Sequence, residues 1–491
     1  MNDYKEKRWL ALILLCSAQF VVVLDASIVN VALPTIGKAL DFSQENLPWV
    51  VNAYILTFGG FLLLGGRTAD LLGRRRVFMA GLLVVAVASL AAGFAATEGQ
   101  LIAARAAQGL GAAIISPAAL SIVTTTFSDG SERNKALGVW GAVAGSGGAA
   151  GVLLGGILTD GLGWEWVLWV NVPVSLIAFS LAPRLIAESR AEHETRAFDV
   201  AGAVTVTAAL SILVYAVVDA TSSGWGSTKT IGLIALSAIL LIAFVVIERR
   251  ARKPLVPFSI FRIRTLTGAN VVGLLVGASL FSMFFFISLY MQQVLGYSAI
   301  HAGLSYLPLA LVIMASAGIA SQLVTKVGYK PVLAAGLLFI VIGLTWFSRI
   351  SVGGGFTTDI LGPSLFAAAG LGFAFVTTTI AAVSGVQESE AGLASGLINT
   401  SQQIGGALGL AVLSTLATSR TEDALSSGSN LASGLTEGFR AAFLGGATIA
   451  ALGFVLTLVL IRGSDSRAHV ALGKEAAGER SGQKASEPAS A

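Results

Sequence analysis

The chain has 491 residues, 55% of them apolar and only 12% charged, about half the charge of an average globular protein. Such a chain cannot cover itself with a water-facing surface, which excludes a cytosolic enzyme, a secreted domain and a nucleic-acid binder; a formal net charge of +4 is small for this length. One cysteine, Cys16, leaves no intrachain disulfide and no cysteine-based metal site, and His193, His301 and His469 show no zinc or haem spacing.

A membrane-spanning helix needs about 20 mostly apolar residues. Such runs recur at about 9–33, 47–65, 77–97, 100–124, 136–158, 166–186, 198–219, 230–248, 267–291, 302–324, 331–350, 359–382, 397–418 and 439–461. The expected fold is therefore an all-α membrane protein with fourteen transmembrane helices. The first run is too long for a signal-peptide core, and Leu33-Pro34-Thr35 follows it without a small-residue cleavage site. Residues 462–491 are rich in Ser, Ala, Gly and mixed charge and read as a disordered tail. With the N-terminus in the cytoplasm, 25 of the 31 Lys and Arg fall on the cytoplasmic side and 5 outside, leaving Arg105 within a helix. That positive-inside bias places both termini in the cytoplasm. Trp9 and Trp140 at inner ends, and Trp49, Trp164, Trp166, Trp169, Trp225 and Trp346 at outer ends, form an aromatic belt.

The chain repeats itself. Gly73, Arg75, Val77, Ala80 and Gly81 recur 255 residues on as Gly328, Lys330, Val332, Ala335 and Gly336. Gly109-Leu110-Gly111-x-Ala113 recurs as Gly370-Leu371-Gly372-x-Ala374 at an offset of 261, and Gly147-Gly148-Ala149-x-Gly151 as Gly405-Gly406-Ala407-x-Gly409 at 258. Runs 1–6 thus match runs 9–14. The organisation is a cytoplasmic N-terminus (1–8), an N-terminal six-helix half (9–186), two inserted helices (198–248), a C-terminal six-helix half (267–461) and the tail (462–491). Parallel halves are one architecture of secondary transporters, whose substrate site lies between the halves near the midplane. The inserted helices carry almost no internal charge and receive no site.

Asp25 sits in an otherwise apolar run, where a charge costs about 2.5–3.5 kcal/mol, and nothing in that run can pair with it at i±3 or i±4. At 1.5 Å rise per residue, Asp25 and Arg105 reach similar depths from opposite faces. They are expected to face one cavity and sense each other, although Arg105 also fits a helix-pairing charge. An acid whose proton affinity changes as its cavity opens is what proton coupling needs. Asp70, at the end of the second run with Arg67, Arg74, Arg75 and Arg76 around it, can make charge-assisted hydrogen bonds or meet a helix N-terminus in the other half. Arg75 and Arg76 also suit a plain positive-inside loop. Thr325 stands where the repeat would place Asp70, so any latch is expected to be asymmetric. Gly145, Gly147, Gly151, Gly155 and Gly156 suit either close helix packing or a hinge. Asn399, Gln402 and Gln403 share one helical face that must look into the bundle, to bind substrate or to join helices. Asn30, Asn52, Tyr54 and Gln108 are further cavity candidates. Phe281, Phe284 and Phe285 suit an adaptable apolar pocket or the lipid.

These motifs resemble the major facilitator superfamily, and more narrowly its fourteen-span drug:proton antiporter branch. The span-1 stretch from Leu24-Asp25 to Asn30 and Pro34 is similar to that branch's signature. Gly66-Arg67-x-x-Asp70-x-x-Gly73-Arg74-Arg75-Arg76 resembles the superfamily's loop motif, Arg105-x-x-Gln108-Gly109-x-Gly111 its span-4 motif, and Gly141 to Gly156 its antiporter motif. Two departures stand out: Leu71 where a basic residue usually follows the Asp, and Val152 where proline usually stands. The resemblance implies halves each built of inverted three-helix repeats, cavity walls from spans 1, 4, 9 and 12, and a gating latch made by Gly66, Arg67, Asp70, Gly73, Arg74 and Arg75. It implies proton-coupled efflux of lipophilic or cationic small molecules, drugs or antibiotics among them, by alternating access. The proton gradient drives it without a cofactor, Asp25 and Arg105 do the coupling, and the protein works as a monomer in a bacterial inner membrane. A dedicated exporter of one metabolite, or an importer, is the alternative. A membrane enzyme would need a cluster of intramembrane His, Glu or Lys, and the phosphate-loop pattern for nucleotide hydrolysis does not occur.

Overall fold

The computed structural model of the chain describes residues 7–42, 46–47, 49–127, 130–189, 199–251, 254–387, 390–464, 466–467 and 470–471. Among them are sixteen α-helices. The N-terminal half contains α1 (Arg8–Ala39), α2 (Trp49–Leu72), α3 (Arg74–Gly93), α4 (Glu98–Thr126), α5 (Gly130–Gly161), α6 (Glu165–Trp169) and α7 (Asn171–Leu185). The insert is α8 (Val200–Ser223) and α9 (Thr228–Arg250). The C-terminal half contains α10 (Arg264–Leu289), α11 (Ala299–Ser305), α12 (Leu307–Val327), α13 (Tyr329–Phe347), α14 (Gly362–Val383), α15 (Ala391–Ser426) and α16 (Leu431–Leu460). Boundaries follow local chemistry. Thr97 caps α4 by accepting from the Gln100 N–H, and Asn430 caps α16 by accepting from Ser433 N–H.

Twelve helical stretches are long and apolar enough to cross a membrane, thirteen with α5, which bends by 43° between Gly130–Gly148 and Ala150–Gly161. Each of the fourteen predicted runs falls on a helix. The one below that measure is α15, 36 residues long, whose polar segment from Asn399 to Gln403 lowers its hydropathy. The chain is thus a multi-pass membrane protein.

The internal repeat is visible in the packing. Gly73 and Gly328 both take positive φ, 110° and 85°, at the breaks that separate α2 from α3 and α12 from α13, a conformation that favours glycine. Gly147 and Gly151 let α5 press on Val23, Leu24, Ser27 and Ile28 of α1, and Gly405 and Gly409 let α15 press on Leu274 and Ala278 of α10. The offset of 258 therefore describes equivalent positions. The offset of 261 does not. Gly111 packs on Gly81 and Val85, and Gly370 on Gly336 and Ile340; since those partners correspond at 255, Gly370 is the counterpart of Gly111, two residues from the pairing expected. In this register Arg105 corresponds to Ser364.

Close contact makes one of these glycines testable. Gly151→Ala pushes a methyl into the Leu24 carbonyl and Ser27 hydroxyl, whereas Gly148 has open space beside it. Gly151→Ala is expected to cost about 1–3 kcal/mol and lower the melting temperature in detergent; Gly148→Ala leaves it unchanged.

The halves meet along two seams, α2 against α15 and α5 against α12, with α4 on α15 and α14 on α5 alongside. The insert lies over the first seam: α8 packs on α2 and α15, with Ser211 against Gly60. At one end Tyr215 stacks on Trp49 of α2 at 5.6 Å, and Trp225 Nε1 donates to Thr415 Oγ1 of α15 at 2.8 Å. The segment read as a disordered tail begins in order. Ser466 is buried and its hydroxyl accepts from Lys330 N–H at 3.2 Å, because the first turn of α13 needs an acceptor there. Residues 472–491 lie outside the described residues.

Candidate transport site

Asp25 and Arg105 meet. Arg105 Nη1 donates to Asp25 Oδ2 at 2.6 Å. Asn171, at the first position of α7, donates its Nδ2 to Asp25 Oδ1 at 2.5 Å, and Gln108 Nε2 donates to the same oxygen at 3.3 Å and to Ser89 Oγ at 2.7 Å. The guanidinium is held as firmly: Nε donates to the Val50 carbonyl at 2.8 Å, Nη1 to Gln108 Oε1 at 3.0 Å, and Cζ lies 4.5 Å from the Tyr54 ring centre. Tyr54 in turn donates to the Val22 carbonyl at 2.9 Å.

Arg105 is fully buried and Asp25 is 2% exposed. The expected meeting of the two charges is seen, but in place of an open cavity the pair is enclosed in this conformation within the N-terminal half, by α1, α2, α3, α4 and α7. The physical reason is hydrogen-bond satisfaction, since both carboxylate oxygens find donors from that half without water. A buried ion pair is not by itself stabilising relative to apolar packing, and ionisable groups at membrane depth usually mark a transport pathway.

Other candidates divide. Tyr54 and Gln108 belong to this charge network, not to an open wall. Asn30 is exposed and reaches the Ala26 carbonyl of its own helix at 3.5 Å, and Asn52 is half-buried. The three polar residues of α15 do not act as one face: Asn399 accepts from Ser116 of α4 at 3.3 Å across the seam, Gln402 is buried against Gly277 of α10, and Gln403 is half-buried. Residues at i and i+3 diverge by about 60° around a helix, enough to reach different neighbours. Phe284 stacks on Tyr306 at 5.6 Å, Phe285 meets Phe286 edge-on, and Phe281 covers Gly406. In α5, Gly147, Gly151 and Gly155 pack on α1, within their own half, while Gly156 faces Ile300 of α11. The surroundings of Gly145 lie outside the described residues.

At one end of the bundle the Asp70 loop joins the two halves. Asp70 Oδ1 accepts from Gly392 N–H at 3.1 Å and Oδ2 from Leu393 N–H at 3.0 Å, at the N-terminus of α15. Arg74 donates Nε and Nη2 to Oδ1 at 3.1 and 2.9 Å. Gly66 permits the approach: a β-carbon there would strike the Gly392 carbonyl. The other arginines point elsewhere. Arg75 bonds the Ile186 carbonyl and pairs with Glu188, as does exposed Arg76, and Arg67 reaches the Pro254 carbonyl at 3.4 Å. The repeat supplies a neutral counterpart. Thr325 Oγ1 accepts from Asn134 Nδ2 at 2.9 Å, and Asn134 lies 258 residues before Gly392, so the second contact occupies the related place on the other seam. The sequence reading missed Asn134, Asn171 and Ser89, all neutral.

An all-helical membrane protein of two packed halves, with an ion pair buried inside the N-terminal one, has the architecture of a membrane transporter. The Major Facilitator Superfamily model matches residues 15–410, and the chain belongs to that superfamily. It is 42% identical over 414 residues to the cephamycin export protein CmcT of Amycolatopsis lactamdurans, covering 84% of this chain and 85% of that one. It is 38% identical over 472 residues to the puromycin resistance protein pur8 of Streptomyces alboniger, covering 95% and 93%. The solved human organic anion transporter MFSD10 has the same fold, with a TM-score of 0.63 at 15% identity over 92% of this chain and 99% of that one.

Proposed function

We propose that the protein is a proton-coupled antiporter that exports lipophilic or cationic small molecules, antibiotics among them, from a bacterial cytoplasm across the inner membrane. The observation that carries this reading is the 2.6 Å Asp25–Arg105 pair, sealed within one half of a two-domain transporter. The latched end is the cytoplasmic one, as the Lys and Arg distribution suggests. Asp25 takes a proton when its surroundings open outward and releases it when they open inward, and the network around it reports occupancy to α1, α4 and α7. The relatives' names support export: a cephamycin exporter, a puromycin resistance protein and a tetracenomycin C resistance and export protein. Those names each specify one compound, which favours, as a second reading, a dedicated exporter of one secondary metabolite.

The test is efflux from proteoliposomes under an imposed pH step, with a fluorescent lipophilic cation and with puromycin as cargo. Efflux of either that follows the pH step supports coupling; equal rates with and without the step remove it. Efflux of one cargo only separates the broad from the dedicated exporter. Asn171→Ala removes the shortest neutral donor on Asp25, so the rate of pH-driven efflux is expected to move down several-fold. Asn30→Ala, which leaves that network intact, should not move it.

A further inference from the structure

The insert reaches the latch through a buried carboxylate. Glu248, in the last turn of α9, is 3% exposed. Its Oε1 accepts from Leu255 N–H at 3.2 Å and its Oε2 from Val256 N–H at 3.1 Å. The charged groups near it are Arg67, in the latch motif, and Asp199, the N-cap of α8, and its carboxylate lies over Gly202 of α8. The turn that Glu248 closes does two things. It presents the Pro254 carbonyl to Arg67 Nη2 at 3.4 Å. It also drives Leu255, Val256 and Ile260, each no more than 2% exposed, into one apolar cluster with Leu63 of α2 and with Leu393 and Ala394 of α15. Leu393 is itself a donor to Asp70. The segment from Pro254 to Ile260 therefore bonds α2 through Arg67 and shares one apolar cluster with both sides of the α2–α15 seam beside the latch.

We propose that Glu248 is a positioning residue for gating: by fixing this turn it wedges the segment across the seam and holds the latched end closed. When α2 and α15 part at this end, the cluster must let go of one side, so the fixed turn adds to the cost of opening. The two inserted helices act as a strap that lies over one seam and leaves the α5–α12 seam without an equivalent among the described residues. The consequence for transport rests on the alternating-access reading above; the gate equilibrium itself does not.

The experiment measures the gate directly. Cys16, the sole cysteine, is replaced by Ser, and spin labels are placed on exposed Leu72 and Gln387, one on each half at the latched end. Distance distributions are recorded in lipid nanodiscs by pulsed electron resonance. Glu248→Ala is expected to raise the long-distance population at least threefold; Glu248→Gln, which keeps one acceptor, should raise it less. Gly202→Ala pushes a methyl into the same carboxylate from α8 and should shift the population in the same direction. Thermal unfolding is measured alongside, since a purely structural role would lower stability without moving the gate. If Glu248→Ala does not fold, Gly202→Ala and Val256→Ala decide the question. Folded variants with the wild-type distance distribution overturn the proposal. A shifted gate in a protein whose efflux, wild type and variant alike, ignores the pH step supports the wedge while removing the coupling reading.

Discussion

Asp25→Asn is expected to yield a folded, membrane-inserted protein that exchanges substrate down its gradient but shows no response to a pH step. The substitution keeps the volume of the side chain and one acceptor for Asn171 or Arg105, while removing the carboxylate on which the proposed coupling depends. One pH unit supplies about 1.4 kcal/mol, or tenfold in accumulation, so a two-unit step should give roughly 100-fold accumulation in the wild type and none in the variant. Arg105 keeps the Val50 carbonyl, Gln108 Oε1 and the Tyr54 ring as partners, so unfolding should change modestly. Arg105→Leu should behave differently. It leaves the Asp25 carboxylate buried with only neutral donors, and breaking such a pair from one side costs about 3–5 kcal/mol. Side-by-side measurements of pH-driven efflux, exchange without a gradient and thermal unfolding separate the two outcomes. Full pH-driven efflux by Asp25→Asn would end the role assigned to this carboxylate.

The legible parts of this site are those that break a pattern. Asp25 and Arg105 are charges within apolar runs, and helical rise alone brings them to one depth. Asp70 is conspicuous for the same reason. Asn171 was not, although it makes the shortest neutral contact to Asp25: a single amide beside the α6–α7 break at Val170 has no periodic partner, and only the fold aims its Nδ2. The same holds for Ser89 and for Asn134, whose pairing with Thr325 turns an apparently missing latch into a neutral one. Enclosure of the ion pair was also illegible, because depth along a helix says nothing about which neighbour a side chain faces. Glycine spacing revealed the duplication but not all of its register. A Gly-x-Gly motif matches a second Gly-x-Gly in registers two residues apart, and only the neighbours at Gly81 and Gly336 choose between them. Span counting met a similar limit at α15, whose polar residues serve separate contacts to α4 and α10 and lower the hydropathy by which a span is recognised.

The unequal latches make a quantitative prediction. Asp70→Asn removes the charge from three kinds of contact at once: the Gly392 and Leu393 N–H groups, the Arg74 guanidinium and the positive end of α15. Hydrogen bonds to a charged group contribute about 1.5–3 kcal/mol, against about 1 for a neutral pair. The asparagine keeps one acceptor, so the expected loss is about 2 kcal/mol, roughly a 30-fold shift of the gate towards the open state at this end. Thr325→Val loses across the related seam the neutral bond from Asn134, worth about 1 kcal/mol or roughly fivefold; the other bond it loses, to the Ser321 carbonyl, lies within α12. The same spin-label pair, Leu72 and Gln387, reads both variants. Cysteine labelling at Gly396, where α15 lies against Leu62 and Gly66, gives an independent measure of opening. The C-terminal half's loop contributes the neutral Thr325–Asn134 contact where the N-terminal half's contributes a carboxylate, so the larger shift is expected from Asp70→Asn. Equal shifts from Asp70→Asn and Thr325→Val would mean that the α15 N-terminus and Arg74 add nothing to the latch, and that shape alone closes the seam.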